Sequence, residues 1–394
     1  MKLQKNKWEK STLEQCCTFY RGVTYSNKDE VNYDGIGILR ANNIDLNNKI
    51  NFENIKRISS DLTIKEEKRL GKNDIFICTA SGSLEHIGKV AFVNSDTEYF
   101  AGGFMGIIRP KYDYVNPYFL FNVLLSPVFI NLIQSQRAGT NIQNLKFSDI
   151  ANNEIPLPSF EEQTQIAELF QSIETAIEQA EQQEKNLLKL KNQMLRELTG
   201  EKMQFGNFLS AKDFEKVKFE KIAFNISERV EPKETNLTTY VGLEHLEADN
   251  LKIERRGTPD DVIGTKLKIY KGDIIFGKRR AYLRKVAVSD FDGIASAHSM
   301  ILRANEKQIE KSFLPHFLQS DVFMQRAVQI SEGSLSPTIK WKSLASQEFV
   351  LPKKEKQKQL SEVFEQFDKT RDELKTQKQT LKNLKQKLLN EILG

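Results

Sequence analysis

The sequence predicts an α+β protein built as a pseudo-twofold tandem repeat. Two similar globular α/β domains are separated by two long helices that form an antiparallel coiled coil. Three observations predict it: the chain matches itself at a fixed offset, strand-like runs recur in both copies, and each copy ends in an uninterrupted helical stretch. Sliding residues 119–170 forward by 194 brings Phe119-Leu120 onto Phe313-Leu314, and Ser126, Val128 and Phe129 onto Ser320, Val322 and Phe323. Gly139, Lys146 and Phe147 fall on Gly333, Lys340 and Trp341, and Pro156-Leu157-Pro158 falls on Val350-Leu351-Pro352. Gln163 meets Gln357, Phe170 meets Phe364, and Gly200 meets the final Gly394. A match this long is a duplication.

Upstream, the copies agree with small changes in length. Asn73-Asp74-Ile75-Phe76 resembles Gly272-Asp273-Ile274-Ile275, Lys89-Val90-Ala91-Phe92 resembles Lys285-Val286-Ala287-Val288, and Ile107-Ile108-Arg109 resembles Ile301-Leu302-Arg303. Short β-rich runs bounded by Gly and Asp read as strands, and the unmatched segments between them read as loops. The chain then divides into a globule at 1–158, a helix at 159–200, a globule at 201–352 and a helix at 353–394.

Residues 159–199 contain no Gly or Pro, and apolar residues recur there at steps of four and three. Ile166, Phe170, Ile173, Ile177, Ala180, Leu187, Met194 and Leu198 trace the seam, interrupted by Glu184 and Lys191. In the second copy Leu360, Phe364, Phe367, Leu374, Leu381, Leu388 and Ile392 trace it, interrupted by Arg371, Lys378 and Lys385. A 3.5-residue average repeat is the pattern of a coiled-coil seam. Ser159 and Glu162 predict a capping box at the first helix start, and Gly200 a left-handed stop. About 40 residues of helix span roughly 60 Å, too long for one small globule to cover. The second helix is the obvious partner, and because one helix leaves its globule while the other returns, the pairing is antiparallel.

Composition narrows the function. The 394 residues are 39% hydrophobic, with 58 basic and 53 acidic side chains giving a net charge of +5. That excess is mild, so a polyanion partner must be argued from where the charge lies. No apolar stretch approaches membrane-spanning length, Met1–Lys10 lacks a signal-peptide core, and three cysteines make no disulfide framework; a cytoplasmic protein without a membrane partner is expected. Catalytic patterns are missing. The chain has no Pro-Pro pair for the Asn/Asp-Pro-Pro-aromatic motif of adenine methyltransferases. Gly82 to Gly88-Lys89 is one residue too long for a P-loop, and Val90 replaces its Ser/Thr. His86, His245, His298 and His316 are dispersed without metal-ligand spacing. No catalytic residue, metal or cofactor of its own is expected.

The strongest binding feature is Lys278-Arg279-Arg280-Ala281-Tyr282-Leu283-Arg284-Lys285, directly after a strand. Cations with an interleaved aromatic suit phosphate contacts, and Arg can reach a guanine edge with two hydrogen bonds. The first copy has Thr79-Ala80-Ser81-Gly82-Ser83-Leu84-Glu85-His86 there, followed by Lys89: small and polar instead. A second pair of loops precedes the last strand of each globule. Arg137, Thr140, Asn141 and Gln143 mark it in one copy, and Ser334, Ser336 and Lys340 in the other. The candidate DNA-binding set is therefore Thr79, Ser81, Ser83, His86, Lys89, Arg137, Thr140, Asn141 and Gln143, with Lys278, Arg279, Arg280, Tyr282, Arg284, Ser334, Ser336 and Lys340. Different chemistry at one position of a repeated scaffold is expected of two readers with different targets.

At these residues the chain resembles the specificity subunits of type I restriction-modification systems. The resemblance is carried by Gly272–Phe276 and its Asn73–Phe76 counterpart, by Tyr240-Val241-Gly242-Leu243-Glu244-His245-Leu246, and by the junctions Ile155–Pro158 with Glu162-Gln163 and Val350–Pro352 with Gln357. It implies two target recognition domains that each read half of a split, asymmetric site in double-stranded DNA. It further implies that the helices are a spacer fixing the gap and helping to dock two modification subunits, with separate restriction/motor subunits. S-adenosylmethionine and ATP then belong to those partners. The competing expectation is a coiled-coil scaffold whose globules bind proteins. Steep weakening of binding by salt separates the two.

Overall fold

A computed structural model describes residues 3–82, 86–137, 144–199 and 208–394, and the chain forms two units: Met1–Ala180 with Thr376–Gly394, and Glu181–Lys375. In the first unit an antiparallel sheet has the spatial order Cys17–Arg21, Met105–Pro110, Ile75–Cys78, Val90–Phe92. The second unit repeats it as Ala223–Ile226, Ser299–Ala304, Ile274–Gly277, Val286–Val288. Each unit adds a second four-stranded sheet that closes on a parallel pair: Ile36–Leu39 beside Phe100–Ala101, and Tyr240–Val241 beside Gly293–Ala295. A two-stranded ribbon, Glu9–Thr12 with Glu154–Leu157 and Phe214–Lys218 with Glu348–Pro352, leads into each long helix. The fold is mixed α/β, and the strand-like runs of the sequence are its strands.

Residues that coincide across the repeat do the same job twice. Phe119, Leu120, Phe129 and Phe170 lie in the first core; Phe313, Leu314, Phe323 and Phe364 lie in the second. Ile75–Cys78 is buried on both faces, which explains its unbroken apolar run. Just before it the backbone turns through positive φ, at Asn73 (φ 70°) and Gly272 (φ 94°), a conformation Gly and Asn adopt at least cost. The next residue, Asp74 or Asp273, is almost fully buried and takes a two-pronged guanidinium bond from Arg109 (2.8 and 2.7 Å) or Arg303 (2.7 and 3.0 Å). The junction glutamines are equally specific. Gln163 donates to the Pro158 carbonyl and accepts from the Asn116 N–H; Gln357 does so with Pro352 and Glu310. Each fixes the angle at which a long helix leaves its ribbon.

The long helices span Phe160–Thr199 and Lys354–Leu393. Of the sequence-predicted seam, Ile166, Phe170, Ile173, Ile177, Ala180, Leu198, Leu360, Phe364 and Ile392 are buried. Leu187, Met194, Phe367, Leu374, Leu381 and Leu388 are half-buried. The polar interruptions acquire partners. In the first unit Lys385 bonds Glu174 at 2.6 Å, and in the second Lys191 bonds Asp368 at 2.7 and 2.9 Å. The 194-residue slide carries Lys191 onto Lys385 and Glu174 onto Asp368, so this is one ion pair made twice. The predicted capping box is half formed. The Ser159 hydroxyl accepts from the Glu162 N–H, but the Glu162 carboxylate accepts from the Gln4 N–H of the N-terminal segment instead of closing the box. Gly200, the expected stop, lies outside the described residues.

Beside Asp368 lies the buried His316, with Nδ1 3.7 Å from a carboxylate already held by Lys191. Burial, with the charge of Lys191, pushes this imidazole well below its usual range, so it is neutral. The unfolded chain protonates it near 6.5 and the folded chain does not, so stability of this unit falls as pH drops below 6.5. The loss from this residue approaches about 1.4 kcal/mol per pH unit. His316→Asn, which installs the residue found at the equivalent Asn122, should flatten that slope in urea titrations between pH 6.5 and 5. An unchanged slope would assign the acid sensitivity to other groups.

Candidate nucleic-acid interface

In the second unit the strand Ile274–Gly277 runs out into the basic loop, which is a folded structure. Arg280 (φ 56°) and Arg284 (φ 54°) take left-handed conformations on either side of a single turn, Ala281–Leu283, anchored by buried Ala281. The loop is tied to the second sequence-selected loop. Arg280 N–H donates to the Pro337 carbonyl, Ile339 N–H donates to the Lys278 carbonyl, and Arg279 pairs with Thr338 in an antiparallel bridge. Two segments chosen separately from the sequence thus form one surface. On it the Arg279 guanidinium donates to the Ser336 hydroxyl at 3.0 Å and contacts His298 Nε2 at 3.2 Å, while Arg280 reaches the same hydroxyl at 3.3 Å.

This surface is cationic. Desolvation and the charge of Arg229 lower the Lys278 pKa, and His298 is depressed by desolvation and by Arg279, Lys278 and Lys266. Tyr282 is 53% exposed, and Leu335, at the tip of the second loop, is 91% exposed. Ser334 is exposed, and Lys340 pairs with Glu332. Arg284 points elsewhere: it is bound to Asp249, Asp321 and the Gln319 carbonyl, so it fastens the loop to the domain and is not free to reach a ligand.

The first unit repeats the stitch. Leu145 N–H donates to the Thr79 carbonyl, and Ala80 bridges Asn144. Thr79 is buried and its hydroxyl donates to the Phe104 carbonyl, so it too has an internal role. Ser81 is half-buried, His86 Nδ1 lies 3.2 Å from Lys89 Nζ, and Arg137 closes the helix Pro127–Arg137. Ser83, Thr140, Asn141 and Gln143 lie outside the described residues. The sequence reasoning missed Phe104 and weighed His298 only as a metal ligand; they sit on the turn before Met105–Pro110 and before Ser299–Ala304. The signal was available, because the 194-residue slide places one on the other.

A cleft of about 520 Å³ opens in the first unit, lined by Asn48, Gly88, Ile133, Ile177, Lys382 and Lys385 among others. The second unit has arginines at the matching positions: Arg284 for Gly88, and Arg371, bonded to Asp249 and Asn250, for Ile177. The described residues contain no cluster of His, Cys, Asp and Glu able to hold a metal. The cysteines are buried, and burial pushes the Cys78 thiol up to about 11, so it stays protonated.

The scaffold is thus duplicated, and the loops on its equivalent edges are unlike in the two units. Residues 5–190 and 239–383 match the family described as Type I restriction modification DNA specificity domain, and the chain belongs to that family. It is similar to the Type I restriction enzyme StySPI specificity subunit of Salmonella potsdam, 34% identical over 164 residues. That match covers 41% of this chain and 35% of the relative, so the chain spans about a third of the length of that protein. The putative type I restriction enzyme MjaX specificity subunit of Methanocaldococcus jannaschii is 25% identical, over 98% of this chain and 92% of its own. The type I restriction-modification system S subunit from M. genitalium shares the fold, with a TM-score of 0.57 at 16% identity, covering 100% of this chain and 98% of that one.

Proposed function

We propose that this chain is the DNA-recognising subunit of a type I restriction-modification complex, without chemistry of its own, in which each globule reads one half of a bipartite, asymmetric site in double-stranded DNA. The observation that carries this is the pairing of the two loops in each unit by the same backbone bond, Leu145 to Thr79 and Ile339 to Lys278, beneath different side chains. The scaffold is constant and the reading chemistry varies. The long helices form an antiparallel coiled coil that sets the gap between half-sites. Supporting it, Glu174 with Lys385 and Asp368 with Lys191 are related by the repeat itself, as an antiparallel pseudo-twofold pairing requires. Two modification subunits dock on the assembly, restriction and motor subunits join it, and S-adenosylmethionine and ATP are bound by those partners. The complex works in the cytoplasm; no single described helix is long and apolar enough to cross a membrane.

Arg279→Ala with Arg280→Ala tests the reading. Each good two-pronged Arg–guanine contact is worth about 1–3 kcal/mol, so one half-site should lose tenfold or more in base discrimination while the other keeps its preference. Selection from a randomised bipartite DNA library by the intact complex measures both halves at once. Equal relaxation of both halves would contradict the modular reading. Absence of any sequence preference in the unaltered complex would remove the DNA function altogether.

A further inference from the structure

The turn that carries Phe104 in the first unit and His298 in the second adjoins the recognition loops, yet belongs to neither. Phe104 is unusual in combining a fixed backbone with a free ring. Its carbonyl accepts from the N–H and the hydroxyl of Thr79 and from the N–H of Ala80, all at 3.0 Å. Its ring is nevertheless 73% exposed. A single exposed aromatic is ordinary, but one whose backbone is pinned three times to the edge of a recognition loop is presented rather than merely tolerated. At the equivalent position His298 touches Arg279 instead. A guanidinium only donates, so Nε2 must be the acceptor and the imidazole must be neutral with its proton on Nδ1. Desolvation, with the cations Arg279, Lys278 and Lys266 around it, favours that state. With Ser336 on the other side, the Arg279 fork is held at two points before any ligand arrives.

We propose that this position is a third base-reading element of each domain, one that makes the two readers differ. Phe104 reads by direct apolar contact with the 5-methyl group of a thymine in one half-site, and His298 is a positioning residue that aims Arg279 at a base edge in the other. The inference rests on the DNA function proposed above. Apolar side chains recognise the thymine methyl, and a pre-aimed arginine loses less freedom on binding a guanine.

The test uses the full chain in its complex, the selected bipartite duplex, and the variants Phe104→Ala, His298→Ala, His298→Gln and Arg279→Ala. Phe104→Ala should lower discrimination about tenfold at a thymine in one half-site only. Replacing that thymine with uracil should weaken the unaltered complex to the same degree and leave Phe104→Ala unaffected. His298→Ala should relax the other half-site at the base that Arg279→Ala relaxes, with no further loss when the two are combined. His298→Gln, which restores an acceptor, should recover most of the loss. Both exposed-site variants should keep the unaltered melting midpoint, which separates reading from folding. If the unaltered complex is selective while Phe104→Ala and His298→Ala leave both half-sites unchanged, the inference is overturned and the DNA function stands. Additive losses for His298→Ala and Arg279→Ala, or no effect of uracil, would equally overturn the assigned roles. A complex with no preference at all would instead sink the function beneath it.

Discussion

Asp368→Asn is expected to destabilise the second unit by about 3 kcal/mol in urea unfolding, one of the largest single-residue effects in the protein. The Lys191 side chain is 4% exposed and that of Asp368 19% exposed. Removing Asp368 leaves the buried ammonium with the Gln319 amide oxygen and no directly bonded counter-ion. Burial already holds Lys191 below the ordinary lysine value of 10.5, with Asp368 pulling in the other direction. Without the carboxylate the folded-state pKa falls further, while the unfolded lysine still binds its proton up to 10.5. Over that window the unfolded state holds more protons, so stability rises with pH and the deficit of the variant should shrink as pH climbs from 7 towards 10. The double replacement Lys191→Met with Asp368→Leu should recover much of the loss, because no orphan charge remains. A deficit under 1 kcal/mol, or one that does not narrow with pH, would show that the pair is better hydrated than its burial indicates.

Inserting seven residues between Thr175 and Lys191 alone should abolish stable pairing of the helices. Glu174 and Lys191 lie on opposite sides of the insertion, and their partners Lys385 and Asp368 lie on the other helix at a fixed separation. Lengthening one helix keeps one ion pair and strands the other two charges by about 10 Å. A matching heptad between Asp368 and Lys385 should restore both pairs and the seam phase. The tolerated gap in the DNA site should then grow by about three base pairs, since 10 Å is close to three steps of roughly 3.4 Å. Restored folding with an unchanged gap would leave the proposed coiled coil standing and refute its role as a ruler.

What the sequence disclosed was what repeats or alternates. Phe119 and Phe313 could be placed in matching cores, and Ile75–Cys78 in a buried strand, because register and periodicity are local properties of a string. Lys191 and Lys385 read only as flaws in a seam, because their partners lie 177 and 211 positions away. The candidate loops were legible as composition, but their conformation was not. Nothing in Arg280 or Arg284 announces a left-handed backbone, since non-Gly residues seldom adopt it. For the same reason Arg284 could not be told from its neighbours as an internal clamp, nor Thr79 as a buried hydroxyl. Phe104 and His298 were not paired as equivalents because the strongest register match begins downstream of them, although the offset that defines the repeat joins them.

The doubled ion pair also constrains inheritance. Each salt bridge takes one residue from either copy, so a charge lost at Glu174 is felt by Lys385, which descends from the other half of the duplication. The helical parts of the two copies cannot drift independently, and the Arg284 clamp is tied in with them, because its partner Asp321 also binds Arg196 of the first copy. A lineage carrying this chain can therefore change a charge in one long helix only with a matching change in the other.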